Sequence, residues 1–427
     1  MILSNISVPL LGAVDTAVMG HLETPHYLGA VAIGALIFNF LFMGLFFLRM
    51  GTTGLAAQAY GAHDENQMRA VLAQAALLAF ALAGMLLLLQ RPLGQLALWL
   101  IAPDPAVAAQ SKVYYAIRIW SAPAALVNYA LIGWFIGLQD ARSALWVMLA
   151  INLVNIALDL FLVVGLGMRV EGVALATVFA EYGGLALAWT LAARKLRPFA
   201  TSWDSSVILN ASGFKRLLRL NGNIFLRSMA LMFAFGFFTA QSARFGPVIL
   251  AANAVLMNFQ HIMAYALDGF AHAAEALVGK AIGQKDDAGF RTAVRVALQW
   301  SFWVAGGFCA LYLLGGRTLI RMLTDLPEVR EIAFAFLPWL IVTPLVSVWS
   351  FIYDGVYVGA TRAREMRDTM LLSLTVYLIA WYPLRALGNH GLWLAFLIFM
   401  AARGLSMYGW YRHIDKREGF GVLVPKG

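Results

Sequence analysis

Residues 59–69 read AYGAHDENQMR and residues 281–291 read AIGQKDDAGFR, and the two stretches superimpose at a constant offset of 222. Gly61 falls on Gly283, Asp64 on Asp286 and Arg69 on Arg291. The offset returns downstream, where GLQDAR at 137–142 lies over GATRAR at 359–364, with Gly137 on Gly359, Ala141 on Ala363 and Arg142 on Arg364. Chance produces one such match far more readily than two at one offset. Both pairs are short polar breaks between long apolar runs, so the pattern argues for a duplicated helical chain.

The runs fall near 2–22, 28–58, 67–90, 110–138, 143–166, 171–193, 221–245, 249–281, 293–315, 331–360, 367–387 and 390–412. They repeatedly reach the roughly 20 residues that a helix needs to cross a bilayer core. Composition agrees: 61% of residues are hydrophobic and 12% charged, against about 25% charged in soluble domains, and the mean hydropathy is +0.75. A soluble fold is excluded, and the expectation is an all-α membrane protein of twelve transmembrane helices. The opening MILSNISVPLLGAVDTAVMGHL carries no basic leader and has an acid in its middle. It reads as a retained first helix rather than a cleaved signal, starting abruptly enough to leave room for residues upstream.

The net charge of +9 points to topology rather than to nucleic acid, because Lys and Arg gather in the connections after even-numbered runs and in the tail. Examples are Arg194, Lys195, Arg197, Lys215, Arg216 and Arg219, then Lys280, Lys285 and Arg291, then Arg412, Lys416 and Arg417. Basic connections stay on the cytoplasmic side, which places both termini there. The one cysteine, Cys309, lies inside an apolar run and offers neither a disulfide framework nor a Cys-based metal site.

The longest polar connection, 194–220, sits near the middle of the chain. The expected plan is an N-lobe at 1–193, a cytoplasmic linker at 194–220, a C-lobe at 221–412 and a cytoplasmic tail at 413–427. Each duplicated piece follows an even-numbered run, so both halves enter the membrane in the same sense. Parallel repeats imply a pseudo-two-fold axis along the membrane normal and a substrate cavity between rocking lobes.

Acids at membrane depth are costly and mark cavities, ion pairs or proton and ion sites; here they are Asp15, Asp159, Glu181, Asp268, Glu275 and Asp354. Asn152, Asn155 and Asp159 are spaced to share one helical face, and Thr177 follows on the next run. Two carboxylates, two amides and a hydroxyl suit a proton or a small cation. The bland alternative for the amides and Thr177 is plain interhelical hydrogen bonding.

In the second half, LDGFAHAAEALVGK puts Asp268, His272 and Glu275 on one face. The HExxH arrangement is missing, and an intramembrane acid beside His reads as a proton-linked or hydrogen-bonded pair rather than a zinc site. No metal is expected. Arg49 and Arg227 are deep enough to need an explanation, and structural pairing is the default for both. The chain has no P-loop, nucleophile elbow or Rossmann glycine pattern, which excludes ATP-driven transport on this chain and argues against an enzyme.

At SVPLLGAVDTAVMGHL, RMGTTGLAAQAYG and LDGFAHAAEALVGKAIG the sequence resembles the multidrug and toxic compound extrusion (MATE) family, in its DinF-like branch. The resemblance implies two six-helix lobes around a V-shaped central cleft. It also implies export of cationic, amphipathic organic compounds in exchange for protons, with Na+ as the alternative. It carries a cation pocket onto Asp15, Asn155, Asp159, Thr177 and Tyr114, the last with an open register because Tyr115 adjoins it. Asp268 and Glu275 match acids of the branch and stand as possible coupling or substrate residues. No cofactor is implied, the partners are organic cations and membrane lipids, and a monomer in the bacterial inner membrane is expected. The rival reading is a flippase for a lipid-linked intermediate, which would want a basic cavity for phosphate.

Overall fold

A computed structural model of the chain describes residues 25–199, 205–417 and 419–421. The first apolar run, and Asp15 with it, lies outside the described residues. No strand occurs among those residues, as expected where each backbone N–H and C=O in hydrocarbon must be satisfied within its own segment.

The first half contributes α1 (Pro25–Leu45), α2 (Phe47–Gly61), α3 (Glu65–Leu88), α4 (Gln90–Ile101), α5 (Pro105–Arg118), α6 (Ala122–Gly137), α7 (Ala141–Asp159) and α8 (Val170–Leu196). The second contributes α9 (Ala211–Arg244), α10 (Pro247–Gln284), α11 (Asp287–Leu323), α12 (Pro327–Gly359), α13 (Ala363–Leu384) and α14 (Gly388–Arg417). Among the described residues, ten stretches are long and apolar enough to cross a membrane. They cover every run from 28–58 onward, because the last stretch, Ala363–Lys416, holds two runs that meet where Gly388 takes a φ of 59°. Twelve crossings are consistent with this.

Between the third and fourth runs the sequence suggested only a connection, but α4 forms there. It exposes Leu96, Trp99 and Leu100 and buries Gly94 and Leu98. An amphipathic helix of 12 residues is too short to span a bilayer and suits its interface.

The chain divides into two compact units between Leu218 and Arg219. Within the stretch 194–220, a single turn spans Ser205–Ile208 and α9 starts at Ala211. The turn is fastened to α3 by Gln74, whose Nε2 donates to the Ile208 carbonyl at 3.0 Å.

The two units repeat one another in local detail at the offset read from the sequence. Gly133 and Gly137 on α6 press against the carbonyls of Arg49 and Thr53 on α2, and Gly355 and Gly359 on α12 press against the carbonyls of Ala271 and Glu275 on α10. Each partner is 222 residues from its counterpart, and none of the four sites has room for a Cβ. Small residues let helix backbones approach this closely in membranes.

The duplicated polar breaks have a matching explanation. His63 and Lys285 both adopt φ 55°, and the following N–H groups of Asp64 and Asp286 reach back to the carbonyls of Ala59 (3.0 Å) and Ala281 (2.9 Å). That is the left-handed closure that ends a helix. The same aspartates then cap the next helix, Asp64 Oδ1 accepting from Gln67 N and Asp286 Oδ1 from Gly289 N, each at 2.9 Å. Asp64→Ala and Asp286→Ala are each expected to lower stability by about 1 kcal/mol, read as a reduced melting temperature of the detergent-solubilised protein.

Asp140 caps α7 in the break between α6 and α7, accepting from Ser143 N at 3.1 Å and from the Ser143 hydroxyl at 2.9 Å, with Lys195 Nζ at 3.3 Å. Burial pushes this carboxyl up, but the Ser143 bonds and the Lys195 ammonium outweigh burial and hold it below the usual carboxylate range. A depressed folded pKa contributes stability above the unfolded value of about 3.9 and loses it as pH falls through the folded value. Below about pH 4 the wild type is therefore expected to lose this increment, and Asp140→Asn to show a flatter profile of melting temperature against pH.

Candidate functional site

The antiparallel helices α7 and α8 build the oxygen-rich cluster of the first unit. Gly184 on α8 meets Ile151 on α7 where a Cβ would not fit, and this close approach brings Thr177 opposite Asn155. Asn155 is 2% exposed and Asp159 0%. Hydrogen-bond complementarity orients the Asn155 amide: Nδ2 donates to Asp159 Oδ2 at 3.1 Å, and Oδ1 lies 3.1 Å from Thr177 N and 3.3 Å from Thr177 Oγ1. The Thr177 oxygen also lies 3.1 Å from the Val173 carbonyl. Carboxylate, amide and hydroxyl oxygens are the donors a hard cation takes, and the carboxylate alone suffices for a proton. Asn152, one turn earlier on α7, is half-buried.

Directly after Asp159 the helix widens to i→i+5 bonding over Leu160–Gly165, with Leu166 N donating to Phe161 O at 3.0 Å. Such local widenings concentrate at functional sites.

Tyr114 on α5 is 1% exposed. Its ring packs against Gly34 of α1, where a Cβ would overlap it, and its hydroxyl accepts a short hydrogen bond from Arg118 Nη1. The Arg118 guanidinium also lies 4.9 Å from the centre of the Phe38 ring. Tyr115 is buried as well, stacking on Phe38 at 5.4 Å. Glu181 on α8 accepts from Asn128 Nδ2 on α6 at 2.9 Å. Arg49 stacks its guanidinium over Phe46 at 4.6 Å.

The second unit centres on a buried ion network. Asp354 on α12 accepts through Oδ2 from Arg227 Nη2 on α9 in a short contact and from Arg403 Nη2 on α14 at 2.9 Å. These residues are 6%, 8% and 2% exposed. Arg227 is therefore paired, as its depth demanded. Arg403 is a member the sequence reading missed, although the repeat carried a signal: the offset of 222 places it on Glu181. Matching helix pairs thus hold polar contacts of opposite sign, Glu181 with Asn128 in one unit and Arg403 with Asp354 in the other.

Asp268 is half-buried and within electrostatic range of Arg403. His272 contacts the backbone carbonyl of Asp268 through Nδ1, within its own helix. Glu275 is 2% exposed, and its own carbonyl is the one that Gly359 presses against.

Comparison with known proteins bears on all of this. The MatE family model matches residues 1–161 and 224–382. The chain is 45% identical over 414 residues to DNA damage-inducible protein F of Escherichia coli, covering 97% of this chain and 90% of that protein. It is 26% identical to the probable multidrug resistance protein NorM of Rhodopseudomonas palustris, covering 99% and 92%. Among solved structures, a MATE transporter of Vibrio cholerae superimposes with a TM-score of 0.87 at 21% identity, covering 99% of this chain and 96% of that one. A MOP superfamily transporter from Pyrococcus furiosus superimposes with a TM-score of 0.87 at 18% identity, covering 97% and 94%. The fold is theirs, and a multi-pass membrane protein with this family match and this kinship belongs to the MatE family of transporters, which are not enzymes.

Proposed function

We propose that the chain is a secondary active exporter that exchanges cationic, amphipathic organic compounds for protons, with Na+ as the alternative coupling ion. The observation that carries the reading is the fully buried Asp159 with Asn155 and Thr177 bonded around it. The relatives named for multidrug resistance and the NorM kinship support the substrate class. Protein DETOXIFICATION 44 of Arabidopsis thaliana, 25% identical over 418 residues, supports it further.

A carboxylate at membrane depth needs either a proton or a compensating cation. Protons arriving from outside neutralise Asp159 and Asp15, the drug cation loses its counter-charge, and it leaves outward. The protonated carrier then returns, releases its protons inside and regains the negative charge that a new cation seeks. In this scheme the lobes at 1–193 and 221–412 rock about the linker at 194–220. The basic connections and both termini face the cytoplasm of a bacterial inner membrane, and the working unit is a monomer.

The test is efflux of a fluorescent organic cation from proteoliposomes under an imposed pH gradient or an imposed sodium gradient. Transport driven by the pH gradient alone supports proton exchange, and transport driven by sodium alone moves the coupling to Na+. Transport driven by neither overturns the proposal.

A further inference from the structure

Between α3 and the C-terminal end of α8 lies a half-open groove of 320 Å³ lined by Arg69, Leu72, Trp189, Ala192, Ala193, Leu196 and Arg197. Two guanidinium groups line it, and among the described residues no carboxylate does. Arg69 donates through Nη2 to the Leu196 carbonyl at 2.9 Å, which caps α8 and fixes the guanidinium at the helix end. Arg197 is exposed, as is Trp189 two turns deeper along α8. Arg194 on the last turn of α8 adds to the positive field, whereas Lys195 is paired with Asp140 at 3.3 Å.

The internal repeat supplies a comparison within the same molecule. Arg291, the counterpart of Arg69, is bonded to Asp287 at 2.8 Å and to Asp415 at 3.1 Å. At the offset of 222 the position of Asp415 is taken by Ala193, which lines the groove. The second unit fills this place with a carboxylate of its own. In the first unit a small side chain stands there and the groove lies open beside Arg69, while Glu65 keeps the position of Asp287.

We propose that this groove binds an anionic phospholipid, its phosphate held by Arg197 and Arg69 and the upper part of an acyl chain lying along Leu72, Trp189 and Ala193. Basic pockets between transmembrane helices recognise anionic headgroups in this manner, and Trp beside them sits at the headgroup level. The apolar floor separates a lipid from free phosphate, which has no use for it. The side of the membrane follows from the basic connections, which put this end of α8 at the cytoplasmic leaflet.

The test is native mass spectrometry of the detergent-solubilised full chain titrated with phosphatidylglycerol or phosphatidylcholine. The wild type is expected to bind the first phosphatidylglycerol more tightly than phosphatidylcholine. Arg197→Gln should weaken that binding about fivefold, the factor for one basic residue near an anionic headgroup. Ala193→Asp, which rebuilds the second unit's arrangement on an exposed surface, should weaken it at least as much. Equal binding of the two lipids, unchanged phosphatidylglycerol binding in both variants, or displacement of the lipid by millimolar inorganic phosphate would overturn the assignment.

Discussion

Asp354→Ala is expected to destabilise the protein by about 3–5 kcal/mol, the cost of leaving buried charge without its partner. The carboxylate is shared by two guanidinium groups, Arg227 and Arg403, all three residues being buried. Removing it leaves two cations facing one another, with the half-buried Asp268 as the remaining acid in electrostatic range of Arg403 among the described residues. The measurement is the melting temperature of the purified protein in detergent, together with the yield of folded protein. A second variant separates charge from packing. Replacing the whole network, Asp354→Leu with Arg227→Met and Arg403→Met, should recover most of the loss, because a buried ion network exchanged for well-packed apolar groups is neutral or stabilising. If the triple variant is no more stable than Asp354→Ala, the loss comes from shape and not from uncompensated charge.

Asp159→Asn should leave the stability within about 1 kcal/mol of wild type, read as a nearly unchanged melting temperature, while lowering gradient-driven export about a hundredfold, the upper range of ordinary coupling free energies. The substitution preserves shape, and Asn155 can still donate its Nδ2 to the remaining oxygen now 3.1 Å away. What disappears is a group that alternates between neutral and negative. Asn155→Leu is expected to act differently, removing the Nδ2 hydrogen bond that orients Asp159 while leaving the titrating group in place.

Much of this was legible in the sequence because the membrane imposes strong patterns. Run lengths set the helices, and the offset of 222 matched Gly137 with Gly359 and the two polar breaks that the structure shows as paired helix ends. The spacing of Asn155 and Asp159, and Thr177 one run later, also reads directly, since one helical face and one hairpin bring them together. Arg403 escaped notice because it lies within the last apolar run, where only the partner 49 residues earlier, Asp354, explains it. Helix α4 escaped because an interfacial helix is shorter than a crossing and lacks its uninterrupted apolar run. Asp268, His272 and Glu275 share a face by spacing, yet the ring of His272 turns to its own helix's carbonyl, a choice of rotamer that no spacing encodes. Asp15 remains the sequence's own proposal, since it lies outside the described residues.

The central claim is that the oxygen cluster of the first unit holds a coupling ion that the organic cation displaces. The most direct measurement is proton release when a fluorescent organic cation is added to the detergent-solubilised protein in weakly buffered solution, with and without sodium. The account predicts that the wild type acidifies the solution on binding and that Asp159→Asn and Asp15→Asn, each lacking a titrating counter-charge, bind the cation more weakly and release fewer protons per cation bound. Binding by the wild type that releases neither protons nor sodium, or full proton release from Asp159→Asn, would contradict it.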